Sequence, residues 1–172
     1  MAQKQTSAGI SEYNPTQEAT LVLLLNRNPP TEVLLGFKKV GFGQGKYTGI
    51  GGKVESDESV LDTAIRELAE ETGVQLQPAC LQHVAVLDFI FPNKPAWSQS
   101  VYVFTATTDH QKPEESDEMI PKWFSIADIP YDQMWADGRY WLPRILRGET
   151  FYARFIFEPD NTSIYQVKFR EL

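Results

Sequence analysis

The sequence predicts a single α/β (α+β) domain built on a mixed β-sheet with at least two helices on its faces. Three observations carry that prediction. The chain has 172 residues, a length that suits one hydrophobic core. Apolar runs of strand length, bounded by turn residues, recur from residue 18 almost to the C-terminal end. Between residues 57 and 72 the apolar spacing changes to a helical period.

Residues 18–26 (EATLVLLLN) form the first strand-length run. Asn26 to Pro30 marks a turn, and residues 32–38 (EVLLGFK) complete a predicted hairpin. Residues 41–53 hold six glycines, which implies positive φ angles or a close backbone approach to a ligand. From Asp57 to Thr72, Val60, Leu61, Ala64, Ile65 and Leu68 repeat every three or four residues. Ser56 or Asp57 is placed to cap this helix and Gly73 to end it. Strands follow at 82–91 and 99–107, with a short one at 122–125. A second helix falls within 135–147, distorted or restricted by Pro143. FYARFIFEP and SIYQVKF then read as a closing hairpin. The domain is expected over 18–172, preceded by a loosely ordered polar tail at 1–17.

Composition narrows the function. A net charge of −7 and a pI of about 4.9 argue against a surface that holds duplex nucleic acid. An acidic protein can still bind a polyphosphate if metal ions carry the positive charge. No apolar run approaches the ~20 residues needed to span a bilayer, so no membrane partner is expected. The polar N-terminus lacks the apolar core of a signal peptide. With a single cysteine, Cys80, no disulfide forms within the chain. A reducing, cytoplasmic compartment and a monomer are the expectation.

The chemistry concentrates in GKVESDESVLDTAIRELAEETGV, residues 52–74. Glu67, Glu70 and Glu71 sit at i, i+3 and i+4, so on a helix their carboxylates project from one face. An isolated acidic pair is usually a solvated surface. Here the acids follow a glycine-rich loop, and clustered hard oxygen ligands suit Mg²⁺, which would relieve their repulsion. The whole stretch also fits G-x5-E-x7-R-E-U-x-E-E-x-G-U, where U is aliphatic. Gly52, Glu58, Arg66, Glu67, Leu68, Glu70, Glu71, Gly73 and Val74 fill every fixed position. A chance match is about one in 10⁸ per window. Neither a G-x-x-x-x-G-K-[ST] loop nor a G-x-G-x-x-G turn after a strand competes with it.

This pattern is the Nudix box, and the chain resembles the Nudix hydrolases. The resemblance implies a mixed sheet sandwiched between two main helices, with the box as loop–helix–loop. It implies that Glu67, Glu70 and Glu71 bind Mg²⁺ (Mn²⁺ as a substitute), with the carbonyl of Gly51 and an acid from a later loop completing the set. Arg66 and Glu58 would hold the box in shape by ion pairing, with Gly52 and Gly73 as its structural glycines. The implied reaction is attack of water on phosphorus in a nucleoside diphosphate linked to a further group.

LLGFKKVGFGQGKYTGIGGKV and ESDEMIPKWFSIADIPYDQMW are similar to one branch of the family, the animal oxidised-purine nucleoside triphosphatases, over nearly all of 18–172. That branch hydrolyses 8-oxo-dGTP and related damaged purines to monophosphates, which cleans the nucleotide pool. Its likeness implies Glu118 as the later acid, with Glu115 and Asp117 as near alternatives. Lys38 would meet the phosphates, or Lys39 in its place, and Thr20, Gly51, Gly52 and Lys53 would border the substrate. Phe42, Phe89 and Trp135 would wall the purine, and Asp137 would accept hydrogen bonds from its edge. Two positions depart from the branch. Thr48 stands for an asparagine, and Asp137 is followed by Gly138 rather than a second aspartate. A pair of aspartates can share a proton, whereas a single one accepts only, which favours a guanine-type edge. The water-activating residue stays open among Glu70, Glu67 and Glu118. Alternative readings are a Nudix hydrolase of other (d)NTPs, methylated purine nucleotides or dinucleotide polyphosphates, or a non-catalytic nucleotide-sensing module.

Overall fold

Among the described residues eight strands join in one mixed sheet, and each helix packs on one of its faces. The computed structural model describes residues 13–108 and 111–172. The strands are β1 (Gln17–Leu25), β2 (Glu32–Lys38), β3 (Tyr47–Thr48), β4 (Gln82–Ile90), β5 (Gln99–Thr107), β6 (Met119–Ser125), β7 (Phe151–Phe157) and β8 (Ile164–Arg170). The helices are α1 (Val60–Thr72) and α2 (Gly138–Leu146). The strand order is β3-β2-β1-β5-β4-β7-β8, with β6 on β2. The β1/β5 and β4/β7 pairs are parallel and the others antiparallel.

The alternation of β1 sorts the core into two layers. Val22 and Leu24 join Leu34, Ile50, Phe104 and Met119 beneath Ala64 and Leu68 of α1. Leu23 and Leu25 face the opposite side, with Leu87, Phe89, Phe155 and the α2 residues Trp141, Leu142 and Ile145. Successive side chains of a strand point to opposite faces, so one apolar strand can serve both helices. The sequence expectation of a mixed sheet between two helices holds.

Several boundaries move. The first helix begins at Val60, and Ser59 rather than Ser56 or Asp57 caps it, accepting from the Asp62 N–H at 3.1 Å. Gly73 ends it in the left-handed region at φ 72°, donating its N–H to Ala69 O. The β1/β2 hairpin pairs only at Leu24–Leu34 and Leu25–Val33, and β1 runs along β5 for its full length. The strand expected at 122–125 spans seven residues, because Met119, Ile120 and Pro121 continue the ladder along β2. Gln17, assigned to the polar tail, opens β1, and the Thr16 N–H donates to Ser98 O at 3.0 Å. Residues 1–12 of that tail lie outside the described residues.

Leu68 is fully buried where α1 meets the sheet. Leu68→Ala should cost about 2–5 kcal/mol of folding stability, read by denaturant unfolding. A loss below ~1 kcal/mol would show that α1 is not anchored there.

Candidate functional site

The second half of the glycine-rich loop is stitched to β1 by backbone hydrogen bonds. The Thr20 N–H donates to Gly52 O at 2.8 Å. Val22 and Ile50 exchange bonds of 2.6 and 3.0 Å, and the Val54 N–H donates to Glu18 O at 3.0 Å. A Cβ on Gly51 would stand 1.9 Å from Thr20 O, and one on Gly52 would stand 2.4 Å from Glu67 Oε1. Gly51 therefore requires glycine for its contact with the strand backbone, whereas a side chain at Gly52 would displace the Glu67 carboxylate that lies across the loop.

Helix α1 lays its acids over this seam in graded environments. Glu71 points inward and is 2% exposed. Its Oε2 accepts from the Gly51 N–H at 3.1 Å, while its buried Oε1 accepts no hydrogen bond and lies 3.8 Å from Lys38 Nζ. Burial pushes its carboxyl up to about 7, against the pull of Lys38 and with the charges of Glu67 and Glu118 adding to the rise. Glu67 is half-buried, and burial raises it too, opposed by Arg66. Glu70 is largely solvated.

Arg66 gathers the remaining charge. Its Nε and Nη2 fork onto Glu58 at 2.6 and 2.9 Å, and its Nη1 donates to both Glu67 Oε1 and Glu70 Oε2 at 3.1 Å. The guanidinium holds Glu58 down to about 2. The expected ion pairing of Arg66 and Glu58 is thus present, and it extends to two of the acids expected to bind metal. Among the described residues no three acidic, imidazole or thiol groups stand together as a metal cluster. The expected ligand set of Gly51, Glu67, Glu70, Glu71 and Glu118 is therefore not assembled as one group here. The Arg66 guanidinium lies between Glu67 and Glu70, and Lys38 lies beside Glu71.

A cavity of about 350 Å³ opens over the seam. Thr20, Lys38, Thr48, Gly51, Gly52, Lys53, Glu67, Glu71 and Glu118 border it, as do Phe42, Phe89, Trp135 and Asp137. Glu70 stands outside it. Of the two candidate lysines, Lys38 reaches the cavity, whereas Lys39 is bonded to Glu115 Oε1 at 2.7 Å and Ser116 O at 3.0 Å. Of the candidate later acids, Glu118 borders it. The hydroxyl of Thr20, 1% exposed, has no hydrogen-bond partner among the described residues. Two orphaned buried polar atoms, Thr20 Oγ1 and Glu71 Oε1, therefore sit in the wall of one cavity, an arrangement that a bound ligand and cation would satisfy.

The other end is aromatic. Phe42, 42% exposed, stacks on Trp135 with ring centres 5.3 Å apart and planes 18° apart. Those two rings touch, so they close the cavity together rather than facing each other across it. Phe89 is buried against Phe155. Asp137 is 6% exposed, and its Oδ2 accepts from the Trp141 indole N–H at 2.7 Å. Burial pushes its carboxyl up to about 6, opposed by that hydrogen bond.

Sequence reasoning missed Tyr47, Phe91, Gln99 and Trp141, all of which border the cavity. Phe91 was legible as the i+2 neighbour of Phe89 on one strand face. Trp141 follows Asp137 by one helical turn. Gln99 pairs with Phe89 across the β4/β5 ladder, a register that the sequence does not state.

The profile of the NUDIX domain matches residues 7–145. The chain is 40% identical over 153 residues to a mouse protein named oxidized purine nucleoside triphosphate hydrolase, covering 89% of this chain and 94% of that one. A zebrafish protein of the same name is 42% identical over 145 residues, covering 84% and 89%. The crystal structure of a MutT protein from Bacillus halodurans superposes with a TM-score of 0.73 at 22% identity, covering 89% of this chain and 97% of that one. That last likeness is one of fold.

Glu71 couples stability to pH. The folded state keeps its proton up to about pH 7, against 4.5 for an ordinary glutamate. The folded protein thus holds an extra proton between those values, so stability falls as pH rises through that window, by up to ~3 kcal/mol without a divalent cation. Glu71→Gln should melt higher than the parent at pH 8 in chelator and should lose the parent's stabilisation by Mg²⁺. A parent whose melting at pH 8 ignores Mg²⁺ would refute this assignment.

Proposed function

The chain belongs to the NUDIX family, and from that premise we propose that it hydrolyses oxidised purine nucleoside triphosphates of the 8-oxo-dGTP type to the monophosphate and pyrophosphate, as a cleaner of the nucleotide pool. One observation carries the reading. A single cavity holds Glu71, a buried carboxylate with one oxygen orphaned, at one end and Asp137, a buried carboxylate walled by aromatic rings, at the other. Two relatives, 40% and 42% identical over the aligned residues, bear the name of that activity.

Nudix hydrolases generally use divalent metals, and the donors here fit one. Glu67, Glu71 and Glu118, with the Gly51 carbonyl and Glu70 once freed from Arg66, would hold Mg²⁺ or Mn²⁺, which when bound neutralises charge on the phosphates. Lys38 and Lys53 bring positive charge to the same phosphates. A carboxylate among Glu67, Glu70 and Glu118 takes the proton of the water that attacks phosphorus. The P–O bond that breaks releases pyrophosphate. Phe42, Phe89 and Trp135 exclude water from the base, and the unpaired Thr20 hydroxyl offers the nucleoside a polar contact, with Thr48 beside it.

The base edge meets a single carboxylate. Where a second aspartate would follow Asp137, Gly138 lies under Met134, whose Cε would be 3.1 Å from a Cβ at that position. A side chain at this position would press on that methyl group, and glycine leaves Asp137 without a neighbouring carboxyl with which to share a proton. Asp137, at about 6, is mostly ionised at neutral pH and accepts from the N1–H and amino group of a guanine-type edge.

A substrate series with Mg²⁺ tests the reading. 8-oxo-dGTP should show a higher kcat/KM than 2-oxo-dATP, dGTP or dATP, and Glu71→Gln should lower it by about a hundredfold or more. A faster 2-oxo-dATP would defeat the guanine-leaning pocket. Failure to release pyrophosphate from any nucleotide would defeat the hydrolase.

A further inference from the structure

Asp137 occupies the N-terminal boundary of α2 but does not cap it. Its backbone is helical, at φ −69° and ψ −27°, and its side chain makes no capping bond. The carboxylate turns instead toward Trp141, whose indole N–H donates to Oδ2 at 2.7 Å. Both residues are buried and both border the cavity. Trp141 is 2% exposed within the core cluster that α2 forms with the sheet, so packing fixes the direction of its N–H.

We propose that Trp141 is the positioning residue of the base site: its indole N–H holds one oxygen of Asp137 and so aims the other into the cavity, at the polar edge of the base. The inference rests on reading this cavity as a purine site. An aspartate χ2 torsion is broad and two-fold, so nothing intrinsic to the side chain selects the orientation. A hydrogen bond from a packed ring does, and a donor to the charged form also favours ionisation. The electrostatics agree, because the Trp141 bond opposes the burial that raises Asp137 to about 6. Lys46, whose Nζ lies 5.2 Å from the centre of the Trp135 ring, adds a weaker opposing charge from the glycine-rich loop. The cavity walls from β4, β5 and β7 bring Phe89, Gln99 and Phe157, none of which ionises. The other charged side chains of the cavity, Lys38, Lys53, Glu67, Glu71 and Glu118, border its phosphate end.

Replacing Trp141 by phenylalanine keeps a buried ring and removes the donor, so the Asp137 carboxyl must rise above about 6. In Trp141→Phe the midpoint of Asp137, read by carboxyl ¹³C NMR, should move up by about one pH unit. Binding of 8-oxo-dGMP, followed by calorimetry from pH 5 to 8.5, should show its acid limb moved up by the same amount. Affinity should then be weaker than the parent's at pH 8.5, because the ionised carboxylate is no longer aimed at the base, and weaker by a further factor of about five at pH 6. In the unsubstituted protein the Trp141 indole N–H resonance should titrate with the Asp137 midpoint, a measurement that stands even if the variant does not fold. An unmoved Asp137 midpoint, an indole resonance blind to it, or an affinity equal to the parent's at pH 8.5 would overturn the proposal. If the parent binds no 8-oxo-dGMP, the purine reading fails, and the ¹³C and indole titrations still decide whether Trp141 governs Asp137.

Discussion

The backbone seam between β1 and residues 50–54 sets the position of almost everything else in the site. Its hydrogen bonds bring Ile50 and Gly52 against Val22 and Thr20 so closely that a Cβ on Gly51 would overlap the backbone of Thr20. Once the loop is fixed there, α1 has one way to pack. Leu68 and Ala64 enter the core layer beneath it, and the same rotation turns Glu71 inward and lays Glu67 across Gly52. The glycines thus do two kinds of work. Gly51 and Gly52 permit contact, and Gly73 lets the chain leave the helix in a left-handed conformation.

Burying carboxylates at that seam is costly, and the molecule distributes the cost through its cations. Arg66 forks onto Glu58 and touches Glu67 and Glu70 with its remaining nitrogen. Lys38 stands off Glu71 at 3.8 Å, too far for a hydrogen bond, and leaves Glu71 Oε1 without one. A buried charge of this kind is tolerated only if it neutralises or finds a partner, and its raised proton affinity is the first of those outcomes. The second is what a cation supplies.

The two ends of the cavity are joined by rigid elements. The acidic end is built on β1, the box loop and α1. The aromatic end is built on β4, β5, β7 and the start of α2. Because β1 and β5 pair in parallel over nine positions, from Gln17–Gln99 to Leu25–Thr107, the distance between the ends is set by the sheet rather than by loop conformation. Phe42 is the exception. It sits between glycines of positive φ and covers Trp135 from an exposed loop.

Much of this protein is legible from residues that are near one another in sequence. The helical period of 60–72, the alternating strands and the spacing of Gly52, Glu58, Arg66, Glu67, Glu70, Glu71 and Gly73 depend only on neighbours in the chain. They suffice for the fold class and for the box. Lys38, Phe42, Phe89, Trp135 and Asp137 are assigned by resemblance, and the folded chain gathers them around one cavity. What sequence could not decide depends on long-range contacts. The extension of β6 back to Met119 follows from pairing with β2, a strand more than eighty residues earlier. The choice of Lys38 over Lys39 follows from Glu115 engaging Lys39. Glu71 and Glu70 are adjacent and chemically identical, yet one is buried and raised while the other is solvated. Asp137 is held by an indole because helix packing aims Trp141 at it. Spacing determines which residues are available, whereas burial and partner choice are properties of surfaces that meet only when the chain has folded.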